Sequence, residues 1–148
     1  MIKYYQHTQI GYLLIIAFAI VPLFLVYIMT VHGFSWIVFS SIVIIGVCLV
    51  VFATLTVVIE EDVLRIRFGP GVIRKSFSLK DIESCHVVKN PWYYGWGIHR
   101  TAHGWLYNVS GSYAVEIKMK TGKKYLIGTD VPNDLETAIR QSMERTVG

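Results

Sequence analysis

Residues 90–111, NPWYYGWGIHRTAHGWLYNVSG, gather three of the four tryptophans, three tyrosines, two histidines and four glycines. His99 and His103 stand four apart, the spacing that puts two imidazoles on one helix face in zinc proteases. Here Arg-Thr-Ala fills the gap, Gly97 and Gly104 flank it, and no glutamate follows His99, so the pair reads as loop histidines even with His86 or Cys85 considered as a third ligand. Ser110, Ser112 and Cys85 lack a base at any nucleophile-motif spacing, and Gly95-Trp96-Gly97 is not a phosphate loop. Glu60-Glu61-Asp62 reads as a solvated turn. The expectation is a protein that is not an enzyme and has no cofactor and no metal.

What remains is contact chemistry. Trp92, Tyr93, Tyr94, Trp96, Trp105 and Tyr107 put six large rings into a short segment that opens with Asn-Pro and so reads mostly as a connection. Trp and Tyr combine an apolar body with a polar edge, which suits protein contacts and bilayer interfaces alike. These six, with His99 and Arg100, form the expected interaction surface; the competing reading is that the rings fill the domain's own core.

The elements that carry this segment follow from charge. Between Gln9 and Glu60 there is no Lys, Arg, Asp or Glu; Lys3 precedes the gap, and the other thirteen basic residues and all ten acids follow it. One membrane-crossing helix needs roughly 20 residues, so the gap has room for two. GYLLIIAFAIVPLFLVYIMT (11–30) and WIVFSSIVIIGVCLVVFA (36–53) are the two runs, with Gly33 as the turn. Pro22 need not end the first run, because proline is tolerated in membrane helices. A cleaved leader would have a hydrophobic stretch of about 7–15 residues and a small-residue cleavage site, which this run lacks. Lys3, Arg65, Arg67, Arg74 and Lys75 flank the spans while the turn carries only His32. Basic residues favour the cytoplasmic side, so both termini and the C-terminal domain are expected there, in a multi-pass protein of the plasma membrane. Cys48 and Cys85 lie in different segments and are not expected to pair. The sequon Asn108-Val109-Ser110 then has no role.

From Thr54 the period changes to that of strands. TLTVVIE (54–60), VLRIRFG (63–69), VIRKSFS (72–78), ESCHVVK (83–89), SYAVEIKMK (112–120) and KKYLIGT (123–129) alternate and are separated by turn residues, Gly69-Pro70-Gly71 among them. LKDI (79–82) reads as one helical turn. Asp130 or its neighbours are placed to cap a final helix with Pro132 in its first turn, and Leu135, Ala138, Ile139 and Ser142/Met143 recur at helical spacing. The predicted organisation is an N-terminal segment and helical hairpin over 1–53 and a mainly β domain over 54–148.

The hairpin Leu64–Arg74, the LKDIES step (79–84), the run VSGSYAVEIKMKTGKKYLIGTD (109–130) and the helix start VPNDLETAI (131–139) together resemble the bacterial pleckstrin-homology-like domain family, of the type flanked by membrane helices. The resemblance covers residues 54–146. It implies about seven antiparallel strands in a partly open two-sheet barrel with one C-terminal α-helix, no catalytic residues, and self-assembly of the kind shown by similar domains. The function expected is a protein-interaction or self-assembly module at the cytoplasmic membrane face, as a homo-oligomer or with a membrane-protein partner. The alternative is a lipid-binding or membrane-sensing module that uses Arg65, Arg67 and Lys75 against anionic lipid. A net charge of only +3 over the exposed part, without a basic stripe, argues against nucleic acid.

Overall fold

The uncharged stretch forms two helices because in each almost every side chain is apolar and no buried polar partner is needed. The computed structural model describes residues 3–109 and 112–148, apart from the side chain of Trp92. Helix α1 (Tyr12–His32) runs unbroken through Pro22 and ends where Gly33, at φ 90°, donates its amide to the Met29 carbonyl. Helix α2 (Trp36–Phe52) returns antiparallel. By length and composition α1 is long and apolar enough to cross a membrane; α2 is a shorter apolar helix.

The chain does not begin with a free tail. Residues assigned no element from sequence form β1 (Lys3–Ile10), which pairs antiparallel with β2 (Thr54–Glu60) on the far side of the helices. Ile10 stands opposite Thr54, and the Gly11 amide donates to the Ala53 carbonyl at 2.7 Å. The helical hairpin is thus the connection of a β-hairpin. Strands β3 (Val63–Phe68) and β4 (Ile73–Ser78) complete a four-stranded sheet in the order β1-β2-β3-β4. Leu55, Val57 and Ile59 of β2 align with Phe68, Ile66 and Leu64 of β3, so alternate residues share the buried face and Arg65 and Arg67 take the other.

A 3-10 turn (Leu79–Asp81) leads to the second sheet. It contains β5 (Ile82–Lys89), β6 (Gly97–Thr101), β7 (Gly104–Asn108), β8 (Tyr113–Met119) and β9 (Lys124–Thr129), in the order β5-β8-β9-β7-β6. The two sheets are not closed into one barrel, and the described residues form nine strands where about seven were expected. The sheet is not wholly antiparallel either: β7 lies parallel to β9, because β8 passes one position beyond β7 and its hairpin partner fills the gap. Residues 97–108, read as connection, are the β6–β7 hairpin.

Between the sheets lies one core that includes Leu64, Phe68, Phe77, Val115, Ile117 and Ile127. Full burial of such a side chain contributes about 1.5–3 kcal/mol. Helix α3 (Pro132–Val147) lays Leu135 and Ile139 on this core. Its cap is Val131, the neighbour of Asp130, without a side-chain bond; the Asp130 carboxylate sits 2.6 Å from His7 Nε2 of β1. A smaller cluster, Leu106, Ala114 and Leu126, forms a second core against which Tyr94 and Val88 pack.

Gly104 is required at its place. Its φ is +123° and a side chain there would run into the Lys124 carbonyl of the parallel neighbour. Gly104→Ala should therefore cost about 1–3 kcal/mol, read as a lower unfolding midpoint of the detergent-solubilised protein. Gly46→Ala, in α2 with open space around it, should leave the midpoint unchanged or slightly raised.

Candidate functional site

Two close approaches join the helices to the sheets. A side chain on Gly11 would meet the Val109 carbonyl oxygen at 2.8 Å, so the start of α1 rests on the end of β7. One on Gly69, in the β3–β4 turn at φ +55°, would collide with the Val50 and Val51 carbonyls in the last turn of α2. The Gly69 amide also donates to the Thr54 carbonyl at 2.9 Å. The rim of the β-structure nearest the helices is therefore the Gly69–Val72 turn, the Pro91–Trp96 connection, the start of β6 and the end of β7. Val72 stands exposed at the end of that turn, just before β4.

The eight residues of the expected aromatic surface do not form one patch. Trp96 and His99 line a cleft of about 340 Å³ whose other wall is Leu14 and Phe18 of α1 with Cys48 and Phe52 of α2. Among the described residues that line it there is no Lys, Arg, Asp or Glu. His99 Nε2 itself is closed off from solvent, close to Gly95, and has no hydrogen-bond partner among the described residues. Tyr94 covers the small second core, and its neighbour Tyr93 is 68% exposed. The Trp92 backbone opens the same 3-10 turn, and its side chain lies outside the description.

Tyr107 and Trp105 take the opposite face of the β6–β7 hairpin. Tyr107 is a core residue, in a file of rings that starts at the base of α2: Phe52–Phe68 at 5.5 Å, Phe68–Tyr107 and Tyr107–Tyr125 at 6.4 Å, Tyr125–Phe77 at 4.8 Å. Trp105 is half-exposed beside it, opposite the exposed Arg100. Tyr107 is thus part of the core, while Tyr93 and Trp105 stand exposed. The turn that carries His103 follows β6, so the two histidines sit along a strand and its turn, not on a helix face. Among the described residues no three His, Cys, Asp or Glu side chains converge on a point. Ser110, with the sequon it completes, lies outside the described residues.

The basic group is also redistributed. Arg65 and Arg67 point from the outer face of the first sheet, joined by Arg74 and Lys3 in a shallow groove with Glu60. Glu60 Oε2 lies 3.1 Å from Arg65. Arg67 has no ion-pair partner among the described residues, and Arg74 donates to the Gly71 carbonyl at 2.6 Å. Lys75 belongs to the other face: it lies 5.5 Å from the Tyr125 ring centre and 5.9 Å from that of Phe77, in a cleft shared with Trp105 and Lys123. Arg74, which the sequence reading left out of this group, takes its place because the β3–β4 register sets it beside Arg67.

Comparisons with family models, with curated proteins and with solved structures find no match for the chain. The site must be judged on its own chemistry, and that chemistry is apolar, aromatic and cationic.

Among the described residues, three ionisable groups are perturbed in one direction. Burial, then the charges of Asp134 and Asp130, push the Tyr5 phenol up to about 12. Burial raises Tyr107 with help from Tyr125, and it raises the Cys85 thiol against an opposing hydrogen bond and charge from Arg140. In each, the folded state holds its proton to higher pH than the unfolded chain does. Their contribution is fully present below the unfolded values and is lost as pH rises through the folded ones. Stability should hold up to about pH 9 and fall from there toward pH 12. In thermal melts across that range Tyr5→Phe should flatten the alkaline fall; an unchanged fall would assign it elsewhere.

Proposed function

We propose that the chain is a non-catalytic, membrane-anchored module of the pleckstrin-homology-like kind. In this reading α1 and α2 cross the plasma membrane as a hairpin, both termini and the two-sheet domain lie on the cytoplasmic side, and the rim holds the domain against the leaflet, where it engages other membrane components.

The observation that carries the reading is the exposure of the helices. Leu14 is the only buried side chain in α1 and none is buried in α2, so two long apolar cylinders stand uncovered. Only hydrocarbon or a large apolar partner satisfies such a surface. The hydroxyls on these helices fit the same setting: Thr30 donates to the Tyr27 carbonyl and Ser41 to the Ile37 carbonyl, so neither needs water. A cleaved leader is disfavoured because removal of α1 would take β1 from the sheet.

Depth supports a role for the rim. The 17 residues of α2 span roughly 26 Å at 1.5 Å each, short of the ~30 Å hydrocarbon layer. Tilt cannot lengthen a short helix, so the leaflet must thin or the rim must enter it. Trp96, Phe52 and Val72 are apolar rim residues suited to entry. Phe34, Trp36 and Phe39, in mutual ring contact at the opposite end, make the matching aromatic belt. Arg67 and Arg74 flank the rim turn from the outer sheet face and are within side-chain reach of lipid phosphates, each cation contributing about 1 kcal/mol near an anionic leaflet.

A second reading, contact with another protein or a second copy of this chain, is favoured by Tyr93 and Trp105. Both are large and exposed, and Trp105 lies four residues along from the Val109 contact, roughly 13 Å farther from the helix ends.

Two measurements test this. In liposomes with brominated acyl chains, a variant that keeps only Trp96 among its tryptophans should be strongly quenched and one that keeps only Trp105 weakly; equal quenching would contradict the rim placement. The mass of the detergent-extracted particle should fall when Tyr93 and Trp105 are both changed to Ala if the second reading also holds, and stay constant if the leaflet is the only partner.

A further inference from the structure

On the outer face of the first sheet the strand register sets side chains in rungs. The rung nearest the helices is Thr8, Thr56, Arg67 and Arg74, one from each strand. Arg67 thus stands directly across from Arg74, a placement in which like charges destabilise a sheet. No carboxylate among the described residues offsets the pair. Arg67 makes no hydrogen bond or ion pair among those residues. Glu60, the one acid lining the groove of about 370 Å³ that these side chains border, is 3.1 Å from Arg65 and engaged there. Both arginines of the rung are exposed, so an anion can reach them from outside the protein. The next rung brings Gln6 and Ser76 to the same groove, also exposed and uncharged.

Two adjacent guanidiniums complement one doubly charged oxyanion, and each can give it two parallel N–H hydrogen bonds. A phosphate monoester, at about −1.5 to −2 near neutral pH, matches that charge; the diester of an ordinary phospholipid carries a single charge. Height selects the source of the monoester. The rung lies two residues out from the Ile10–Thr54 pair that adjoins the helices, roughly 7 Å along the strands. The headgroup layer of a leaflet is roughly 5–8 Å deep, so the two arginines stand within it. We propose that Arg67 and Arg74 form a binding site for the phosphate monoester of a membrane lipid, a diacylglycerol phosphate in the adjoining leaflet. The inference rests on the membrane reading above and deepens it: one site of defined chemistry replaces a diffuse attraction to anionic lipid. Gln6 and Ser76 supply neutral donors on the aqueous side of the bound phosphate.

The experiment is native mass spectrometry of the full chain in mild detergent, offered equal amounts of diacylglycerol phosphate and phosphatidylglycerol with the same acyl chains. The wild type should retain the monoester in clear preference. Arg67→Ala should cut that retention about tenfold, and Arg67→Lys should recover only part of it, since an ammonium lacks the planar fork. Lys75→Ala removes the same charge from the next position of β4, which faces the Tyr125 cleft, and should change little. Equal retention of the two lipids, or equal losses in Arg67→Ala and Lys75→Ala, overturns the site. Inorganic phosphate in hundredfold excess should leave the lipid bound; displacement would assign the groove to a soluble phosphate and overturn the lipid source. Thermal melts give a second reading. Without the monoester lipid, Arg67→Ala should melt no lower than the wild type, because it relieves the opposition to Arg74. With the lipid, only the wild type should gain stability. A lower lipid-free midpoint for Arg67→Ala would mean that Arg67 has its partner within the fold, and would overturn the site. An alkaline carbonate wash separates this from the anchoring proposal: release of the chain defeats both, whereas a chain that stays in the membrane without preference for the monoester defeats only the site.

Discussion

The structure depends on the antiparallel pairing of β1 with β2 across the helical hairpin. The chain leaves the first sheet at Ile10, runs out and back through two helices, and re-enters opposite its point of exit at Thr54. Backbone hydrogen bonds continue through the junction, with the Gly11 amide on the Ala53 carbonyl. A domain hung from a membrane by a linker can rotate. Here each helix is joined to a strand by a single residue, and both strands belong to the same ladder, so the sheet cannot turn independently of the hairpin. Inter-strand side chains reinforce the pairing: Thr8 and Thr56 hydroxyls lie 3.0 Å apart. At its other edge β1 is tied to the start of α3 by His7 and Asp130, and Arg145 of α3 lies 3.9 Å from the Tyr4 ring centre.

That rigidity explains why the rim residues have their particular character. Glycine stands at 11 and 69 because helix ends and sheet edges approach to backbone contact there. Phe52 connects the last turn of α2 to the file of rings inside the domain, so the packing between the sheets begins at the helix base. Around this weld the surface sorts by depth. Apolar and aromatic side chains lie against the helices, arginines lie on the adjoining outer sheet face, and Trp105 with its lysine neighbours lies farther out. A fixed domain with a graded surface suits the contact role proposed above.

Much of this was readable in the sequence where one face of an element is buried and the other wet. The helices announced themselves by fifty uncharged residues, and β3 by Leu64, Ile66 and Phe68 alternating with arginine. β1 was not readable, because its inward positions are Tyr5, His7 and Gln9 and therefore show no apolar alternation. β7 failed for the opposite reason: Leu106 and Tyr107 are adjacent and both buried, because both faces of that strand are packed at this point, so no alternation shows. Glycines at 95, 97 and 104 then made the whole segment look like a connection, although Gly104 is there to admit a parallel neighbour. The aromatic surface was drawn as a unit from composition, but the β6–β7 pleat divides it, sending His99 one way and Tyr107 the other. The strand register likewise exchanges Lys75 for Arg74 beside Arg67. Face assignment needs register, and register needs the fold.

The pairing of β1 with β2 is open to a direct test in intact membranes. Thr8→Cys and Thr56→Cys, combined in a background with Cys48→Ser and Cys85→Ala, place two thiols directly across the ladder, at the separation a disulfide requires. Mild oxidation should close an intrachain bond nearly completely, whereas a control pair, Thr8→Cys with Thr54→Cys, two positions out of register, should close far less. Failure of the in-register pair to close, or closure only between chains, would contradict the account, since the N-terminal segment would then not be the strand on which the helical hairpin and the sheets are joined.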